Sequence, residues 1–126
     1  MRVIDTNVLV RLIARDDAQQ TTVAERFIDK GAWVSSLALV ETIWVLDSVY
    51  RLPARSLADA VAMLLDHRDL ALQDAEAVTA ALALFRANPK LRFSDCMMLQ
   101  LARKAGHLPL GTFDRNLGRM DGVRKL

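Results

Sequence analysis

Short apolar runs alternate along this 126-residue chain with segments long enough to be helices. Residues 2–5, 32–34, 70–72 and 108–110 are the runs, rich in Val, Ile, Leu, Ala and Trp. They have the length and composition of short strands, and residues 2–5 read as a buried one. The stretches between them lack breakers or carry apolar residues at helical spacing. They predict helices over residues 7–15, from Asp16 or Asp17 through Phe27 and Ile28, and over 37–50, 56–67, 74–88 and 94–105. In the fourth of these Leu57, Val61, Leu64 and Leu65 share a face, and in the fifth Val78, Ala81, Leu82 and Phe85 do. Gly31, Pro53, Pro89 and Gly106 stand at the expected ends, and Ser35 or Ser36 is placed to cap the third. Residues 112–117 read as a loop or helical turn, with Val123 in a last edge strand. A chain that returns to a strand after each helix joins its strands by crossovers, which makes them parallel. The expected class is α/β, a small parallel sheet flanked by helices, in a single domain over residues 1–126.

The content of the chain narrows its chemistry. Hydrophobic residues make up 52% and charged residues 25%, enough apolar material for a core. One cysteine, Cys96, allows neither an internal disulfide nor a thiolate metal site. The two histidines, His67 and His107, lack ligand spacing, which argues against zinc. Asp5 interrupts the N-terminal apolar run before a signal sequence can form, and Glu41 interrupts the longest later one. The expectation is a soluble, cytoplasmic protein with no membrane role.

Four acids stand where the pattern does not explain them. Asp5 ends the first strand, where open α/β sheets gather their ligand loops; the competing reading is an N-cap for the helix beginning near Asn7. Glu41 has Leu37, Trp44 and Val45 as helical neighbours, so it breaks an apolar stripe; it either pairs with a buried arginine or reaches water at the stripe's edge. Asp95 precedes Met98 and Leu99 by a helical turn, in a first turn where the helix dipole also favours an acid as a cap. Asp114 follows the strand at 108–110, where a turn aspartate would also serve.

Considered together these acids mean more. If the strands are parallel, their carboxyl ends and the helix starts share one rim. Carboxylates crowded there need a cation, and a hard oxygen donor set suits Mg²⁺ or Mn²⁺. The formal charge is +2, from 17 basic and 15 acidic residues. Setting four metal-neutralised acids aside leaves 11 acids against 17 bases, a surplus of six positive charges suited to a polyanion. A basic isoelectric point is also ordinary for a small protein.

Asp5-Thr6-Asn7-Val8-Leu9, Ser36 through Val40-Glu41, Phe93-Ser94-Asp95-Cys96 and Thr112-Phe113-Asp114-Arg115 closely resemble the PIN-domain family, and within it the VapC-type ribonuclease toxins of toxin–antitoxin operons. The resemblance runs over essentially the whole chain in order and spacing. It implies a PIN-like three-layer sandwich and Mg²⁺- or Mn²⁺-dependent cleavage of RNA. By its pattern Asp5 and Asp95 are the central metal ligands, Glu41 the second acid and Asp114 a fourth, more loosely placed one. Asn7 and Thr112 match polar positions that orient ligands or water. The resemblance also implies a homodimer and a cognate antitoxin that lays a helix in an apolar groove, with DNA contacted only through that antitoxin.

Other residues are candidates for the same function. Arg11, Arg15, Arg51, Arg86 and Arg92 are possible phosphate contacts, though solvated faces suit each as well. Trp33 and Trp44 are able to stack on bases, with core or interface the competing role. Leu9, Ile13, Phe27, Leu46 and Val49 are candidates for a dimer or antitoxin surface, with core packing the default. Two rival phosphotransfer folds fit poorly: a dehalogenase-like site wants an acid where Asn7 stands, and a receiver wants a lysine in the span between Lys104 and Lys125, which has none. A catalytically silent PIN module and a housekeeping RNA-processing nuclease are the remaining alternatives.

Overall fold

The computed structural model describes residues 1–126, and its backbone gathers into two compact units, Met1–Ala75 and Glu76–Leu126. In the first, β1 (Arg2–Val3), β2 (Ala32–Val34) and β3 (Leu70–Leu72) form a parallel sheet in the order β1-β2-β3. Each crossover is a pair of helices: α1 (Thr6–Ala14) and α2 (Ala18–Ile28), then α3 (Ser36–Ser48) and α4 (Ala54–Asp66). Parallel strands need such long connections, and the sequence supplies them.

Local chemistry sets the helix boundaries. Asp17 Oδ1 accepts from the Gln20 N–H at 2.9 Å and starts α2. Ser35 Oγ accepts from the Ala38 N–H at 3.0 Å and starts α3. Each such cap contributes on the order of 1 kcal/mol. Beyond α1, Arg15 turns the chain in the left-handed region, φ 52°. A polar network then ties three segments together. Arg11 Nη1 donates to Asp16 Oδ1 at 2.7 Å and to the Tyr50 hydroxyl at 3.2 Å, and that hydroxyl donates to Asp16 Oδ2 at 2.8 Å. Inside this unit Leu9, Ile28, Leu39, Leu46, Val61 and Leu64 are fully buried.

The second unit holds α5 (Ala75–Ala87, sharing its first residue with the first unit), α6 (Phe93–Ala105), and a parallel pair, β4 (Leu110–Thr112) and β5 (Val123–Lys125). A single 3₁₀ turn, Leu117–Arg119, lies between those strands. Phe85 of α5 meets Phe93 of α6 edge to face, with centroids 5.9 Å apart. Helix α6 ends at Gly106 with φ 83°, which glycine adopts without strain. Gly122, φ 82°, receives the Leu110 N–H on its carbonyl; a Cβ there would stand 3.0 Å from the Arg103 guanidinium.

Several expectations change. Strand β1 is an exposed edge strand, since it has one neighbour only; burial begins at Ile4. The penultimate strand begins at Leu110, not Leu108, because Pro109 has no N–H to give and Leu110 is the first residue that pairs. Leu9 and Leu46 are core, so neither lines a surface, whereas Phe27 and Val49 are exposed and Ile13 is half-buried. Trp33 alternates outward between buried Ala32 and Val34, and Trp44 is 62% exposed, so neither tryptophan is core. No helix is long and apolar enough to cross a membrane.

Candidate functional site

Asp5 lies two residues past β1 in extended conformation and is the N-cap of α1: its Oδ1 accepts from the Val8 N–H at 3.0 Å. Capping therefore takes one carboxylate oxygen and leaves Oδ2 without a partner. Glu41 lies on the outer face of α3. Its apolar helical neighbours Leu37 and Trp44 are exposed too, while Ala38, Leu39, Thr42, Ile43 and Leu46 turn inward. The stripe that Glu41 interrupts is thus the solvent side of a helix that is apolar on both faces, and no buried arginine meets it. Its partner is Thr6, whose Oγ1 donates to Glu41 Oε2 at 2.7 Å, leaving Oε1 unengaged.

Asp5 and Glu41 share a cleft of about 380 Å³, lined also by Thr6, Asn7, Trp44 and Val45. Asn7 is exposed at its edge and also borders a larger groove of about 850 Å³ along α1 and α2. The hydroxyl of Ser36, the first residue of α3, is buried with no hydrogen-bond partner.

The other two acids meet in the second unit. Asp95 lies in the first turn of α6. Burial raises its pKa first and the negative charge of Asp114 raises it further; the Arg92 guanidinium and backbone N–H work against both. Asp114 is held by the turn that follows it. Its Oδ2 accepts from the Leu117 N–H at 2.7 Å, and its own N–H donates to Thr112 Oγ1 at 3.0 Å. Thr112 therefore fixes the backbone that carries Asp114.

The four acids thus come as two pairs, Asp5 with Glu41 and Asp95 with Asp114. Within neither unit do three or more His, Cys, Asp or Glu side chains gather to hold a metal ion. The donors are nonetheless of the type a hard divalent cation takes, and the mutual repulsion that raises Asp95 is the kind a cation relieves. Two of the arginine candidates are committed elsewhere. Arg11 is held in its network and Arg15 pairs with Glu25 at 2.7 Å, so both serve structure. Sequence reasoning assigned no role to Thr6. It stands between two candidate residues, but its link to Glu41 spans 35 positions and leaves no local signal.

The PIN-domain family model matches residues 2–123. No curated protein matches the chain. Six helices and small parallel strands agree with the α/β sandwich of that family. A match over all but the first residue and the last three is decisive, and the chain belongs to the PIN-domain family, a fold family of generally metal-dependent nucleases.

Proposed function

We propose that the protein is an endoribonuclease that uses Mg²⁺ or Mn²⁺ to hydrolyse RNA phosphodiesters, and that it acts in the cytoplasm as the toxin of a VapC-type toxin–antitoxin pair. The observation that carries the catalytic part is the manner in which the acids are held. Asp5, Glu41 and Asp114 each give one oxygen to an internal hydrogen bond and keep the other. A carboxylate oriented this way is suited to ligate, because its free oxygen is aimed before any ligand arrives.

Asp5 and Asp95 are the proposed principal ligands, with Glu41 and Asp114 holding a second cation or orienting the attacking water. A bound divalent cation would supply Lewis acidity toward the phosphoryl oxygens and lower the pKa of water. The protein's own contribution is orientation: Val8 N–H sets Asp5, Thr6 sets Glu41, and Leu117 N–H sets Asp114. Burial and the charge of Asp114 make Asp95 harder to ionise, and a bound cation would offset that. Asn7, at the cleft edge, and Thr112, under Asp114, are the proposed supporting residues.

The toxin role, the antitoxin and the homodimer follow from the resemblance of the four motifs. A cognate antitoxin is the proposed protein partner, and DNA is contacted through it. Cleavage of a labelled RNA panel by the purified protein, with Mg²⁺ or Mn²⁺ and with EDTA, tests the enzyme. Cleavage that requires metal supports it. Metal binding without cleavage of any RNA favours a single narrow target, and no metal binding favours a silent PIN module. Growth arrest on expression, relieved by the product of a neighbouring short reading frame, separates a toxin from a housekeeping nuclease.

A further inference from the structure

Trp44 is the largest apolar side chain in the cleft that holds Asp5 and Glu41, and 62% of it is exposed. It lies one helical turn beyond Glu41 on α3, with Leu37, 72% exposed, one turn before. Helix α3 buries Ala38, Leu39, Thr42, Ile43 and Leu46 on its other side, so Trp44 is not needed for the core. No aromatic ring or cation stacks on its indole, whereas Phe27 is covered by the Arg2 guanidinium, 4.8 Å from the ring centre. An exposed indole beside an acidic pair is an open π face next to the proposed reacting centre.

We infer that Trp44 is a stacking platform for an unpaired RNA base adjoining the cleaved phosphodiester. This rests on the ribonuclease reading and deepens it by naming the side chain that holds the strand beside Asp5 and Glu41. A base is the occupant that best fits both halves of the cleft. Its flat face suits the indole, and its attached phosphate is the group a carboxylate-held cation attracts. An apolar protein surface would cover Trp44 but leave Asp5 and Glu41 facing an uncompensated, desolvated environment. Stacking is tolerant of base identity, so Trp44 positions the strand without dictating sequence. Paired bases in a duplex present no free face, so duplex RNA is a poor substrate at this cleft.

The test uses Trp44→Ala, Trp44→Phe and Trp33→Phe, the last leaving Trp44 as the sole indole. Oligo(A) and oligo(U) are titrated into each with EDTA present, so that fluorescence reports binding without turnover. Cleavage of the same RNAs with Mg²⁺ or Mn²⁺ is then followed on wild type and both Trp44 variants. The expected results are quenching of emission in wild type and Trp33→Phe but not in Trp44→Phe, and weaker binding by about tenfold in Trp44→Ala with recovery in Trp44→Phe. Cleavage should show a raised KM and a less affected kcat. Metal-dependent cleavage with unchanged KM in Trp44→Ala and no quenching would overturn the stacking role while the ribonuclease reading stands. Quenching without cleavage of these oligonucleotides would keep base stacking at Trp44 and point to a narrower cleavage target. A change of oligomeric mass in Trp44→Ala, with RNA affinity unaltered, would assign the indole to a protein interface and overturn the proposal.

Discussion

Thr6 and Glu41 are 35 residues apart in sequence and 2.7 Å apart in space: the first residue of α1 donates its hydroxyl proton to a carboxylate oxygen on the outer face of α3. The bond is exposed, so its net contribution to stability is small, about 0.5 kcal/mol. Its effect on orientation is larger. Thr6→Val keeps the shape of the side chain and removes the donor. We expect metal-dependent cleavage to fall by about tenfold or more, through kcat, with little change in melting temperature. Thr6→Ser should restore most of it. Equal rates in Thr6→Val and wild type would show that Glu41 needs no orientation.

Asp5 caps α1 and is also a proposed metal ligand, and one substitution separates the two. Asparagine caps a helix about as well as aspartate but is a neutral, weaker ligand, so Asp5→Asn should retain the melting temperature and lose cleavage. Alanine loses both functions, and Asp5→Ala should also melt lower, by about 1 kcal/mol or roughly 4 °C. Differential scanning calorimetry alongside the RNA assay checks both variants. Full activity in Asp5→Asn would remove Asp5 from the site.

Asp95 carries a pH dependence with a definite sign. Its folded pKa is raised, by burial first and by Asp114 second. In the window between the ordinary carboxylate pKa and the folded one, the folded chain keeps a proton that the unfolded chain has released. Stability from this group is therefore fully present below the ordinary value and is lost as pH rises through the folded value. Asp114→Asn removes one of the two causes, so the Asp95 carboxyl, followed by carbon-13 NMR, should titrate at lower pH. Saturating Mg²⁺ should lower it too, because a cation favours the ionised form. An Asp95 titration indifferent to Asp114 would contradict their pairing.

Cys96 follows Asp95 and is fully buried. Burial, and then the charge of Asp95, pushes its thiol up to about 12. Almost no thiolate exists at neutral pH, and the thiolate is the reactive form. Native protein should resist alkylation by iodoacetamide and react only as fast as it opens. Reaction should become rapid in denaturant. Prompt labelling of native protein near pH 7 would show that α6 is less well packed than its side chains indicate.

The sequence was most informative where structure is local. Caps such as Asp17 and Ser35, the glycine stop at Gly106 and the strands at Ala32–Val34 and Leu70–Leu72 are dictated by neighbours in the chain. The direction in which Glu41 faces was not legible. Helix α3 is apolar all round, so periodicity could not tell the buried side from the side bearing Leu37 and Trp44. Core packing, the default reading for Leu9 and Leu46, is where both lie. Pro109 misplaced β4 by two residues because a strand's start depends on which N–H finds an acceptor, and Leu110 finds Gly122 in a later loop. That Asp95 feels Asp114, or that Thr6 holds Glu41, depends on contacts across many residues that no spacing rule encodes.

A carboxylate with one oxygen already fastened has given up its rotational freedom during folding, an entropy loss on the order of 1 kcal/mol for a side chain of this kind. Asp5, Glu41 and Asp114 each meet that condition. A cation received by such donors would have less left to organise, and donors held in this way would favour a matching ionic radius. Rigidity of this kind favours small ions that demand near-octahedral geometry over calcium, which prefers a looser and larger shell.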